Sequence, residues 1–143
     1  TKSRRGQEWF EAVQERLGAL GVEVDRAQSF EDIGELIKDV KSGIRDGVPT
    51  IACGGGDGTF SAVARLFAGK ETILGVLPLG TGNAFARDLG IEADVDKATG
   101  IIAAGRTAHV DAGFIGDDYF VNVATLGLTT RIARNLTNEN KRK

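Results

Sequence analysis

Apolar positions recur at helical spacing in the first third of the chain and gather into short continuous runs in the middle. Trp9, Val13, Leu17 and Leu20 form one stripe with charges opposite, which predicts an amphipathic helix over residues 8–20. Gly21 closes it, and the alternation Val22-Glu23-Val24 predicts a short strand. Ser29 then offers an N-cap, with Glu31 and Asp32 placed in the first turn of a second helix. Ile33, Leu36, Ile37, Val40 and Ile44 carry that helix until Gly47-Val48-Pro49 breaks it. The run Thr50-Ile51-Ala52-Cys53 is apolar after its first residue, as expected of a strand covered on both faces. Phe60, Val63, Ala64 and Phe67 resume helical spacing, and Ile73-Leu74-Gly75-Val76-Leu77 reads as a second buried strand. Residues 84–89 and 94–104 predict two more helices, ended by Gly90 and Gly105.

After residue 105 the texture changes. Residues 107–115 and 119–123 alternate like strands, with Gly116-Asp117-Asp118 as a hairpin turn, and a last helix is expected over residues 128–136. The expected fold is α/β: a Rossmann-like, doubly wound, mostly parallel sheet with helices on both faces over residues 1–105. The start of an antiparallel β unit follows over residues 106–143.

Composition narrows the chemistry. At 143 residues the chain suits one core; 18 basic residues against 20 acidic ones give no electrostatic footprint for nucleic acid. Cys53 is alone, so neither a disulfide framework nor a Cys/His zinc site is expected; it reads as a buried small hydrophobe. No apolar run reaches membrane-spanning length and no signal-peptide core opens the chain, so a cytoplasmic location is expected. His109, on an expected strand without a second ligand nearby, reads as structural.

Glycine is the unusual number, at 20 of 143 residues, and nine of these lie between Gly54 and Gly90. They form two strand–loop–helix units, Gly54-Gly55-Gly56-Asp57-Gly58-Thr59 and Pro78-Leu79-Gly80-Thr81-Gly82-Asn83. Loops at the carboxyl ends of neighbouring parallel strands open on one crevice. Without side chains in the way, backbone N–H groups can close on a phosphate there, aided by the positive end of the following helix. Asp57 is the odd member, because a carboxylate repels phosphate unless it is paired; it suits magnesium, a sugar hydroxyl or a proton. Established nucleotide motifs do not fit. Gly69-Lys70 is followed by Glu71 and lacks the earlier glycine of a P-loop, and Ser61 stands where a dinucleotide fingerprint needs its third glycine.

Gly55-Gly56-Asp57-Gly58-Thr59 together with Pro78-Leu79-Gly80-Thr81-Gly82-Asn83-Ala84-Phe85-Ala86-Arg87-Asp88-Leu89-Gly90 resembles the diacylglycerol kinase catalytic-domain family, which includes bacterial lipid kinases and sphingosine kinases and is distantly related to NAD kinases. Weaker similarity extends over Ser3-Arg4-Arg5-Gly6, Val110-Asp111-Ala112-Gly113 and Phe120-Val121-Asn122-Val123-Ala124. The resemblance implies that Gly55, Gly56, Asp57, Gly58, Thr59, Gly80, Thr81, Gly82 and Asn83 bind the phosphates of ATP, with Asp57 in a supporting catalytic role. It implies transfer of the γ-phosphoryl group to a lipid hydroxyl with Mg²⁺ neutralising the phosphates, and it names no metal ligand within this chain. An NAD-kinase-like enzyme and a catalytically inactive nucleotide-binding module are the alternatives.

The sequence also departs from the pattern. Ala62 stands where the family commonly has Glu, and only Ser29 is available where a nucleotide-binding Thr usually follows the second strand. The family's opening strand and its acidic base, which lies in the β-rich domain, are expected outside this chain. Nucleotide binding with little or no catalysis is therefore expected of the 143 residues alone. The expected partners are nucleotide and lipid substrate, with a homodimer if exposed apolar edges self-associate. Arg131, Arg134 and Lys141-Arg142-Lys143 allow peripheral contact with anionic membranes.

Overall fold

The structure, a computed structural model, describes residues 4–116 and 118–121. The expected helix at residues 128–136, the basic C-terminal cluster and Asp117 lie outside the described residues. Helix α1 spans Arg4–Ala19 and α2 Ile33–Arg45. Strand β1 (Thr50–Gly55) leads into α3 (Asp57–Val63), which tightens into a 3₁₀ turn over Ala64–Phe67. Strand β2 (Ile73–Pro78) precedes the short α4 (Ala84–Asp88) and α5 (Val95–Ala103). A small hairpin of β3 (Gly113–Ile115) and β4 (Asp118–Phe120) closes the described chain.

Strands β1 and β2 pair in parallel, with Cys53 opposite Val76 and Gly55 opposite Pro78. Side chains alternate across a strand, and the two faces feed two cores. Cys53 and Val76 join Val40, Phe60, Val63, Phe85 and Ala86 on one face, under α2, α3 and α4. Leu77 joins Val13, Leu17 and Ala98 on the other, under α1 and α5. Burial of this kind stabilises each large side chain by about 1.5–3 kcal/mol. Helices thus lie on both faces of β2. Strand β1 is different: Thr50, Ala52 and Gly54 are exposed, contrary to the expectation of cover on both sides. The cause is placement, since Ile102 of α5 reaches Gly75 of β2 and leaves the same face of β1 open.

Glycine stops behave as the pattern implies. At the ends of α1, α2, α4 and α5, residues Gly21, Gly47, Gly90 and Gly105 all take positive φ. Beyond each, the next N–H reaches back to the carbonyl five residues earlier, as from Val22 to Leu17 at 2.9 Å and Ile91 to Ala86 at 2.8 Å. This double-bonded stop satisfies carbonyls that would otherwise be stranded.

Three expectations need correction. Helix α2 starts at Ile33 with Asp32 as its N-cap, the carboxylate accepting from Glu35 N–H at 3.0 Å; Ser29 lies outside it. An Asp three residues before a Glu is the stronger start signal. Val22-Glu23-Val24 forms no strand, because no described neighbour pairs with it. Residues 106–112 carry no regular structure, so the expected strand at 107–115 shrinks to Gly113–Ile115, and His109 is exposed rather than built in. The class is mixed α/β as expected, with a two-stranded parallel sheet packed against helices and a small antiparallel hairpin.

Candidate functional site at the two glycine loops

The parallel register decides the site. With Gly55 level with Pro78, both glycine loops leave the sheet side by side, and Leu79 N–H donates to Gly55 O at 3.0 Å. The backbones then nearly touch. A Cβ on Gly80 would overlap the Cα of Gly56, and one on Gly56 would stand 3.3 Å from the Cα of Gly80. Glycine at position 80 is required by this approach rather than by backbone dihedrals, and at position 56 a side chain would be tight.

Beneath the loops, Phe60 from α3 and Phe85 from α4 meet at a ring-centroid distance of 5.6 Å with their planes tilted by 40°. Phe60 is fully buried and Phe85 almost so. The ring pair fastens the start of one helix to the start of the other, and such contacts contribute about 0.5–1.5 kcal/mol beyond burial.

The first loop ends in Gly56, which caps α3 without a side chain, so the first-turn N–H groups of Asp57 and Gly58 have no side-chain acceptor. Thr59 folds back over the backbone of Gly55, where any Cβ would collide with it. In the second loop, Asn83 is buried in the left-handed region at φ 49°. Its amide forms a closed ring with one residue: Oδ1 accepts from Gly80 N–H at 2.9 Å and Nδ2 donates to Gly80 O at 2.7 Å. Gly80 N–H is therefore committed within the loop, while Thr81 and Gly82 sit exposed at its tip. Asp57 spans the gap, its Oδ1 accepting from Phe85 N–H at 3.1 Å. The nine residues singled out in the sequence are thus brought into one place. The Phe60–Phe85 pair and the bond from Asp57 to Phe85 were missed, the latter because 28 residues separate its partners.

Among the described residues, no group of three or more His, Cys, Asp or Glu could hold a metal ion. Asp57 is the one carboxylate in the two loops, and its Oδ1 is occupied by the second loop. Such a lining offers a magnesium ion one free carboxylate oxygen, Asp57 Oδ2, so the ion would be held chiefly by the phosphates it arrives with. A groove of about 520 Å³ lies elsewhere, between α1 and α5, lined by Trp9, Glu15, Arg16, Asp94 and Asp96 among others. Arg16 and Asp96 bridge it at 2.9 Å in full view of solvent.

Two glycine loops converge from adjacent parallel strands, each running into a helix, and form the candidate site of a mixed α/β fold. Residues 2–115 match the family model described as the diacylglycerol kinase catalytic domain, and the chain belongs to that family. A probable lipid kinase, YegS-like, of Klebsiella pneumoniae is 35% identical over 115 residues, covering 78% of this chain and 38% of that protein. The probable lipid kinase YegS of Salmonella typhimurium is 37% identical over 117 residues, covering 78% and 39%. The YegS-like probable lipid kinase of Yersinia pestis is 42% identical over 90 residues, covering 59% and 30%. The chain spans about 40% or less of the length of these relatives. No helix among the described residues is long and apolar enough to cross a membrane.

Proposed function

We propose that this chain is the nucleotide-binding part of a lipid kinase, and that its two glycine loops hold the triphosphate of ATP. The carrying observation is the contact of Gly56 with Gly80, which sets the loops edge to edge. Gly55, Gly56, Gly58 and Thr59 face the phosphates from one side and Thr81 and Gly82 from the other, while Asp57, Gly80 and Asn83 shape the pocket. Magnesium arriving with ATP would lower the charge of the phosphates. The reaction moves the γ-phosphoryl group from ATP to the hydroxyl oxygen of a diacylglycerol-like lipid, and ADP leaves with the oxygen that bridged the β- and γ-phosphorus. The hydroxyl proton passes to an acidic base supplied by the β-rich unit, which begins after residue 105. Phosphoryl transfer depends mostly on positioning and charge stabilisation, which a preformed backbone cradle supplies. We read β1 and β2 as the central pair of a larger doubly wound sheet, supported by the open face at Thr50, Ala52 and Gly54.

Calorimetric titration with ATP and Mg²⁺ tests the binding. Gly80→Ala, which forces a Cβ into Gly56, should abolish the signal, and Thr81→Val should weaken it while the fold persists. Equal affinity in all three proteins would sink the proposal. A phosphorylation assay on the full-length protein, offering diacylglycerol, sphingosine and NAD in parallel, separates the lipid kinase from the NAD-kinase-like reading. Binding without transfer to any acceptor identifies an inactive module, the outcome that Ala62 in place of Glu favours.

A further inference from the structure

The helix α4 has an irregular start. Its N-cap residue, Asn83, makes no side-chain bond to the helix, because its whole amide is spent on Gly80. An N-terminal turn left in that state strands its first donors. The missing acceptor arrives from the other loop: Asp57 Oδ1 takes the Phe85 N–H. The second carboxylate oxygen lies over Gly82, where a Cβ would come within 2.8 Å of Oδ2. Both oxygens of Asp57 therefore lie toward the second loop, one as the cap of its helix and one beside Gly82. A carboxylate is also the favourable charge at that end of a helix.

We infer that Asp57 is a positioning residue: its carboxylate caps α4 across the chain and so holds the Gly80–Asn83 loop against the Gly54–Thr59 loop. The inference rests on the nucleotide reading above for what the paired loops bind, and on hydrogen-bond geometry alone for the latch itself. Asp57 acts on the ligand through Phe85 and Gly82. Its role accordingly needs a hydrogen-bond acceptor, and a negative charge is secondary. Asn and Asp are about equally good as caps and Ala is poor, whereas a role as base or metal ligand does not survive the change to Asn.

Three proteins decide it: the unmodified chain, Asp57→Asn and Asp57→Ala. Amide hydrogen exchange at Phe85 reports the latch, and calorimetry with ATP and Mg²⁺ reports the consequence. Asp57→Ala should lose about tenfold in Phe85 protection and about tenfold in ATP affinity, and Asp57→Asn should restore most of both. A general stability loss would lower protection throughout β1 and β2 as well, so exchange at Cys53 and Val76 serves as the internal reference. Unchanged Phe85 protection in Asp57→Ala overturns the latch. Asn binding ATP as weakly as Ala, with Phe85 still protected, overturns positioning in favour of direct contact. Failure of the unmodified chain to bind ATP overturns the nucleotide reading, and the latch is then decided by exchange at Phe85.

Discussion

Asn83 and Cys53 illustrate how single positions acquire meaning from their surroundings. Asparagine is the side chain that tolerates the left-handed region best, and here φ 49° also lets its amide close on Gly80. Cys53 is buried between the strand and α2 and α3, and burial pushes its thiol up to about 11, with the Asp39 charge adding to the effect. An acid whose folded pKa is raised stabilises the fold fully below its unfolded value, 9.0 here, and loses that contribution as pH climbs through the folded one. The chain should therefore become less stable between pH 9 and 11, by up to about 2 kcal/mol from this group. Melting curves across that window should fall more steeply for the unmodified protein than for Cys53→Ala. Parallel curves would show that the thiol does not contribute.

Elements in this chain are set off by side chains at their ends. Asp32 caps α2, Asp94 caps α5 by accepting from Lys97 N–H at 2.9 Å, and glycines end both helices. Replacing Asp32 with Ala should cost about 1 kcal/mol, or a drop of about 3 °C in melting temperature. Ser29→Ala should leave the melting temperature unchanged, because Ser29 lies outside the helix. A larger effect at Ser29 than at Asp32 would contradict the observed cap. The helix-stop glycines were legible in the sequence because a stop is a local event, decided within about six residues. The start of α2 was legible only to within three positions, since Ser29, Glu31 and Asp32 are all credible at a helix beginning.

The whole molecule is organised around β2, which separates the two cores, and around the aromatic contact joining α3 to α4. Phe60→Ala removes the most buried large side chain and should destabilise the chain by about 3–5 kcal/mol in urea unfolding. Because Phe85 is its direct partner, the double variant should cost about 1 kcal/mol less than the sum of the two single changes. Strict additivity would mean that the rings act separately, and the loops would then be joined by backbone contact and Asp57 alone. The ion pair between Arg16 and Asp96 joins α1 to α5 at the surface, where such pairs contribute little.

What this sequence determined by itself was local: helical stripes, glycine stops, the positions of β1 and β2, and the paired loops whose resemblance pointed to the diacylglycerol kinase family. Those features depend on neighbours within a turn or two, so spacing and residue type suffice. Only the tertiary structure decided that Gly56 would meet Gly80, that Phe60 would pack against Phe85, and that Asp57 would cap a helix 28 residues away. Each of these depends on the register Gly55 to Pro78, which two independent strands adopt only when a shared core aligns them.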